Sequence, residues 1–151
     1  MTTGSDDVDV RWLGAPPALL LDVLAALESL QREVQVSGFV GEAPVGSEVE
    51  HGLVRDRALV QGQRDELHDR ASAARSEGRT AVDVTVTYSR DEVGLVLSAA
   101  EAALAVDEAA HRGELLVPPL TDDERHLWSW MVAEVRAQAA GEAPTPYRAR
   151  P

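Results

Sequence analysis

Cysteine, lysine and asparagine are absent from this chain of 151 residues. Without cysteine, the chain cannot form a disulfide, a thiolate zinc site or a thiol nucleophile. Without lysine, it cannot use the phosphate-binding lysine of a P-loop or form a lysine Schiff base. These absences exclude several common catalytic and metal-binding chemistries before any motif is considered.

Aromatic residues and basic charge are also scarce. Aromatic residues make up 4% of the chain and hydrophobic residues 44%, so we expect a core of Leu, Val and Ala. The formal net charge of −12 repels nucleic-acid backbones and anionic membrane surfaces. No apolar run approaches the roughly 18 residues of a membrane span, and the first residues lack the pattern of a signal peptide. We therefore expect a cytoplasmic protein whose partners are neither nucleic acid nor membrane.

Hydrophobic periodicity predicts the element order β-α-α-β-α-α. The fold class is α+β and mostly helical, with a two-stranded β-ribbon packed against about four helices. The predicted strands span 8–12 and 82–88, and the predicted helices span 17–36, 48–76, 89–112 and 122–140. We expect a disordered N-terminus (1–7), a single globular domain (8–140) and a flexible tail (141–151).

Capping boxes predict where three of the helices begin. The pairs are Ser47 with Glu50, Ser89 with Glu92, and Thr121 with Glu124. Gly113 and Gly141 mark the ends of the last two helices. The helix over 48–76 contains Gly52 and Gly62, each costing about 1 kcal/mol relative to Ala, so we expect it to bend, break or move.

No arrangement of acids and histidines has a compact catalytic or metal-binding spacing. His68 with Asp65 and Asp69 comes closest, but a solvated helix face explains that group better. The acids at 122–124 favour the start of a helix through its dipole. We therefore predict no catalytic residue, no metal ligand and no cofactor.

Apolar surface beyond the needs of one core predicts where a partner binds. On the helix over 89–112, the stripe Val93, Val96, Leu97, Ala100 and Leu104 is opposed by the stripe Leu95, Ala99, Ala102 and Val106. Trp130 lies off the apolar stripe of the last helix, where it either anchors an interface or packs against another element of the chain. The interaction candidates are Trp130, Leu95, Ala99, Ala102 and Val106.

Four segments carry a resemblance to a known group of proteins: Val8–Pro17, Leu27–Val34, Val82–Ser89 and Asp107–Leu116. The chain resembles a family of small proteins from GC-rich bacteria that are encoded near anti-sigma-factor kinases, STAS antagonists and sporulation-type serine phosphatases. This resemblance implies a role in partner-switching signalling. The chain is not itself such a kinase, because it lacks the Asn of the N-box and the D-x-G-x-G loop.

Three functions follow from the sequence as alternatives. The first is a non-enzymatic cytoplasmic regulatory protein that binds another protein, either a second copy or a neighbouring regulator. The second is a small-ligand sensor with a pocket between ribbon and helices, lined by Val84, Val86, Leu97 and Tyr88. The third and weakest is a metal-dependent hydrolase that uses Asp or His.

Overall fold

The computed structural model describes residues 6–39 and 61–151, with side chains for 6–33 and 61–151. In chain order the elements are β1 (Asp7–Ala15), α1 (Pro17–Phe39), α2 (Gln61–Ser76), β2 (Val82–Ser89), α3 (Arg90–His111) and α4 (Asp122–Ala139). The predicted mostly helical α+β fold is therefore confirmed. The predictions for residues 1–5, for the Ser47–Glu50 capping box and for the helix before Gln61 lie outside the described residues.

The two strands pair as an antiparallel ribbon with one buried face. Alternation places every second side chain on the same face, and these are the buried ones. The buried cross-strand pairs are Val8 with Tyr88, Val10 with Val86, and Trp12 with Val84. Because both strands are edges of this small sheet, their outer backbone groups need partners from elsewhere.

The first strand continues past Gly14, where the sequence suggested that it ends. The register shifts between Trp12 and Ala15, and Gly14 has a φ of 72°. The Gly14 N–H donates to Oδ1 of Asp83 at 2.8 Å. A residue without a Cβ adopts this left-handed conformation at little cost, so Gly14 makes an irregularity in the strand and β1 ends at Ala15.

Helices α3 and α4 begin at the predicted capping boxes. Ser89 Oγ accepts from the Glu92 N–H at 3.2 Å, and Glu92 Oε1 accepts from the Ser89 N–H at 3.3 Å. Thr121 and Glu124 make the same reciprocal pair. Two of the orphan N–H groups at each helix start are thereby satisfied.

Among the described side chains, α1 and α2 bury the apolar stripes that their periodicity predicts. Buried positions include Leu20, Val23, Leu27 and Leu30 on α1, and Leu67, Ala71 and Ala74 on α2. Helix α4 packs beside β1 and α2 beside β2, while α1 contacts all three of the other described helices. In the described part of the chain, no helix is both long and apolar enough to cross a membrane.

A buried ion pair fixes the connection between α3 and α4. Asp107 on α3 is only 1% exposed. Its Oδ1 accepts from the Leu120 N–H at 2.7 Å, and its Oδ2 accepts from Arg125 Nε at 3.0 Å and also from Arg125 Nη2. The carboxylate therefore holds the residue before the N-cap and the first turn of α4 against α3, and this sets the position of the face described next.

Candidate functional site

The outer face of α4 is covered by the chain's own C-terminal segment, residues 141–151. Trp130, the predicted interface anchor, donates from Nε1 to the Thr145 carbonyl at 3.0 Å. The Tyr147 ring lies between Trp130 and His126, with ring centroids 5.3 Å and 5.7 Å away. We call His126, Trp130 and Glu134 the α4 docking face. Of the two open alternatives for Trp130, the structure places it against another element of its own chain.

Backbone hydrogen bonds fix the path of the C-terminal segment along this face. Thr145 N–H donates to Glu134 Oε2 at 3.0 Å, and Tyr147 N–H donates to the Leu13 carbonyl of β1 at 2.9 Å. The Arg148 carbonyl can only accept, so His126 Nε2 is the donor of their 2.7 Å bond. The segment thus runs back along α4 toward its first turn, in an extended path that also satisfies part of the outer edge of β1.

Charge complements the shape of this arrangement. The acidic first turn of α4 faces Arg150, whose Nη1 lies 3.4 Å from Asp122 and 3.7 Å from Asp123. Burial, followed by the Asp123 carboxylate, raises the pKa of Tyr147 above its ordinary value. Tyr147 therefore docks as a neutral phenol at neutral pH. The predicted flexibility of residues 141–151 stays a prediction, which amide hydrogen exchange tests.

Gln138, one turn after Glu134 on α4, links this face to the sheet. Gln138 Oε1 accepts from the Arg11 N–H at 2.8 Å, and Gln138 Nε2 donates to the Arg11 carbonyl at 2.8 Å. The same Nε2 donates to Glu134 Oε2 at 2.8 Å. One amide therefore occupies the place of a neighbouring strand beside Arg11, and it also orients the carboxylate that receives Thr145.

The other interaction candidates lie on α3, and the structure separates them. Val106 is fully buried and Ala102 is 8% exposed, so both belong to this chain's own core. Leu95 and Ala99 are half-buried, and Ala99 lines an internal cavity. The second apolar stripe therefore leaves little surface for a partner.

An apolar cavity of about 110 Å³ lies between the sheet and the helices. Among the described residues its wall includes Leu27, Leu67, Val106, Met131 and Val135. Of the predicted lining, Tyr88 is present, whereas Val84, Val86 and Leu97 are not among the described lining residues.

Among the described lining residues, the side chains with polar groups are Trp12, Gln31, Arg64, Tyr88 and Trp128. Arg64 Nη2 donates to the Leu24 carbonyl at 2.8 Å. Burial, and then the carboxylates of Glu92 and Glu66, raise the pKa of Tyr88 well above its ordinary value. The Tyr88 phenol therefore stays protonated, and the cavity wall carries little acid–base chemistry at neutral pH.

The candidate metal ligands are dispersed. His68 Nδ1 lies 3.7 Å from Asp69 Oδ1 on an exposed surface. Asp122 and Asp123 face Arg150, as described above. Within residues 6–39 and 61–151, no three acids or histidines are grouped as a metal ion would require.

Sequence reasoning missed Tyr147, Glu134, Gln138 and the indole of Trp128. A partial signal for the buried acid and amide exists, because residues 134 and 138 share a helix face with Leu127, Met131 and Val135. Polar residues on a buried stripe need partners, but the sequence does not say which ones. The chain matches no known protein family, and no curated protein or solved structure is significantly similar to it.

Proposed function

We propose that this chain is a non-enzymatic cytoplasmic regulatory protein that acts by protein–protein contact, and that the α4 docking face is its contact surface. The observation that supports this most is the Tyr147 ring held between His126 and Trp130. A face that holds an extended segment by aromatic, backbone and charge contacts has the chemistry of a peptide-binding surface. The non-enzymatic assignment rests on the residue types that the chain lacks.

In this proposal, the C-terminal segment competes with a partner for the same face. The partner presents an extended segment with an aromatic ring followed by arginine, which is the pattern of Tyr147, Arg148 and Arg150. That segment belongs either to a second copy of this chain or to a neighbouring regulator. The resemblance to proteins of partner-switching circuits favours such an exchange, because those circuits work by replacing one protein contact with another.

The free energy that holds the C-terminal segment on the α4 docking face is small enough for a partner to displace the segment. An aromatic pair contributes about 0.5–1.5 kcal/mol beyond its burial, and exposed ion pairs contribute about 0–1 kcal/mol each. Association in cis has no translational cost, so a few such contacts suffice to hold the segment. A partner present at sufficient concentration then displaces it by mass action.

Three variants of the full chain test this function. Tyr147→Ala weakens the internal cover, Trp130→Ala removes the anchor, and Ser129→Ala alters an exposed α4 position as the matched control. Self-association is measured by light scattering over a range of protein concentrations. Capture of a purified anti-sigma-factor kinase and of a purified STAS protein, the partner classes that the resemblance implies, is measured in parallel.

We expect Tyr147→Ala to increase capture of one regulator, because the face is then uncovered, but to decrease self-association, because the second copy also lacks the docking ring. Trp130→Ala should abolish both, and Ser129→Ala should behave as the unmodified chain. A protein that stays monomeric at high concentration in all four forms and retains none of the regulators contradicts the proposal. Equal effects of Tyr147→Ala and Trp130→Ala on the capture of a regulator also contradict it, because only Trp130 belongs to the face that a regulator contacts.

A further inference from the structure

The three tryptophans of the chain differ in what their indole N–H groups meet. Trp12 Nε1 donates to the Met131 carbonyl at 3.1 Å, and Trp130 Nε1 donates to Thr145. Trp128 Nε1 is buried, and in the described part of the chain it is the one buried side-chain polar atom without a hydrogen-bond partner. A buried donor without an acceptor costs about 1–3 kcal/mol, so a native protein rarely keeps one without a reason.

Trp128 is also part of the wall of the central cavity. The cavity volume of about 110 Å³ approaches the roughly 150 Å³ of an engineered apolar cavity that binds benzene. Most of its wall is aliphatic or aromatic, with side chains from both strands and from all four described helices. It therefore has the size and surface for a compact apolar molecule.

We propose that this cavity binds a small uncharged molecule with a compact apolar body and one carbonyl-type oxygen, which accepts a hydrogen bond from Trp128 Nε1. The oxygen must be an acceptor, because an indole nitrogen only donates. The molecule is uncharged, because transferring a carboxylate into an apolar cavity carries a large desolvation cost and the Arg64 guanidinium already bonds the Leu24 carbonyl.

Two probes of nearly the same shape isolate the hydrogen bond. Cyclopentanone has the carbonyl oxygen and is about the size of benzene, and methylenecyclopentane has a methylene group in its place. Binding of each probe to the ¹⁵N-labelled full chain is followed through the three indole N–H signals, which single Trp→Phe variants assign. A net hydrogen bond of about 1 kcal/mol corresponds to roughly a fivefold difference in dissociation constant.

We expect cyclopentanone to bind several-fold more tightly than methylenecyclopentane and to move the Trp128 signal downfield. The Trp12 indole also lines the cavity, but its N–H already bonds the Met131 carbonyl, so its signal should respond alike to both probes, while the Trp130 signal stays near its position. Trp128→Phe is expected to equalise the two affinities, and the matched Trp130→Phe variant to preserve the difference. The proposal is overturned if neither probe binds, if both bind equally to the unmodified chain, or if isobutyrate, an anion of similar size, binds more tightly than cyclopentanone. The signal shift in the unmodified chain decides the question even if Trp128→Phe fails to fold.

Discussion

Arg125→Met is the substitution whose cost the structure predicts most closely. Asp107 has 1% exposure and three hydrogen bonds, two of them from Arg125. Met keeps most of the side-chain volume but removes both of these donors. The Asp107 carboxylate then stays buried, with only the Leu120 N–H as its partner.

The expected loss in the free energy of unfolding depends on how deeply the ion pair is buried. Removing one member of a buried ion pair costs about 3–5 kcal/mol, because an uncompensated charge remains. Arg125 is itself 36% exposed, so water reaches part of the site and we expect the lower end, about 3 kcal/mol. In a chain of this size, that loss lowers the melting temperature by roughly 6–12 °C.

Urea unfolding followed by tryptophan fluorescence measures the free energy of unfolding. Arg70→Met is the matched control, because Arg70 pairs with Glu66 on an exposed helix face and should lose at most about 0.5 kcal/mol. Adding Asp107→Asn to Arg125→Met removes the stranded charge and keeps an acceptor for Leu120, so the double variant should recover at least about 1 kcal/mol. A loss for Arg125→Met within about 0.5 kcal/mol of the Arg70→Met loss would refute this reasoning.

Three further substitutions have outcomes of known sign. Gln138→Leu leaves the Arg11 N–H and carbonyl without their partners, so we expect a loss of about 2 kcal/mol in urea unfolding and faster amide exchange at Arg11. The pKa of Tyr88 is raised in the folded chain, so the unfolded chain loses the phenol proton first and the free energy of unfolding falls above about pH 10. Tyr88→Phe should reduce the slope of that fall by up to about 1.4 kcal/mol per pH unit. Urea unfolding between about pH 10 and 11.5 measures the slope. Tyr147→Ala should speed hydrogen exchange at the Thr145 N–H by about threefold or more, whereas an unchanged rate would mean that the segment is not held by its ring.

Few other groups complicate the urea-unfolding measurement on Tyr88→Phe at alkaline pH. Lysine and cysteine are absent and the tyrosines number two, so few side chains titrate between pH 9 and 12. Tyr147 is only partly buried and contributes a smaller shift in the same direction. An unchanged slope in Tyr88→Phe would show that the phenol is not the group whose ionisation destabilises the folded chain.

Local signals in the sequence predict the elements of the fold because each has a local physical cause. The period of two over residues 82–88 and the reciprocal caps at Ser89 and Thr121 depend on residues within a few positions of one another. The pairing of the two strands is also predictable, since a lone strand leaves its backbone groups without partners, whereas their antiparallel direction comes from the structure. The first strand is longer than the predicted 8–12, because the carboxylate that bonds the Gly14 N–H belongs to Asp83 on the other strand and leaves no local signal.

The candidate site depends on contacts between distant residues, and composition points away from them. The sequence of residues 141–151 has the Pro, Gly and Arg content of a mobile tail, and nothing local indicates that Tyr147 meets His126 and Trp130. The two apolar stripes of α3 overestimated the surface available to a partner, because Val106 and Ala102 are buried in the chain's own core. A helix that is apolar nearly all round is ambiguous between a central helix and a helix with a partner, and only the packing of its neighbours separates the two.

The most direct test of the proposed function is whether the α4 docking face binds its C-terminal segment when that segment is supplied as a separate molecule. A fluorescently labelled peptide of residues 141–151 is titrated with the full chain carrying Tyr147→Ala, and its anisotropy is recorded. The proposed function predicts saturable binding of the unmodified peptide. Binding should be lost when the peptide carries Tyr147→Ala. It should also be lost when the unmodified peptide is titrated with the chain that carries both Tyr147→Ala and Trp130→Ala. Equal anisotropy curves for the two peptides, or unchanged binding without Trp130, would contradict the proposed function.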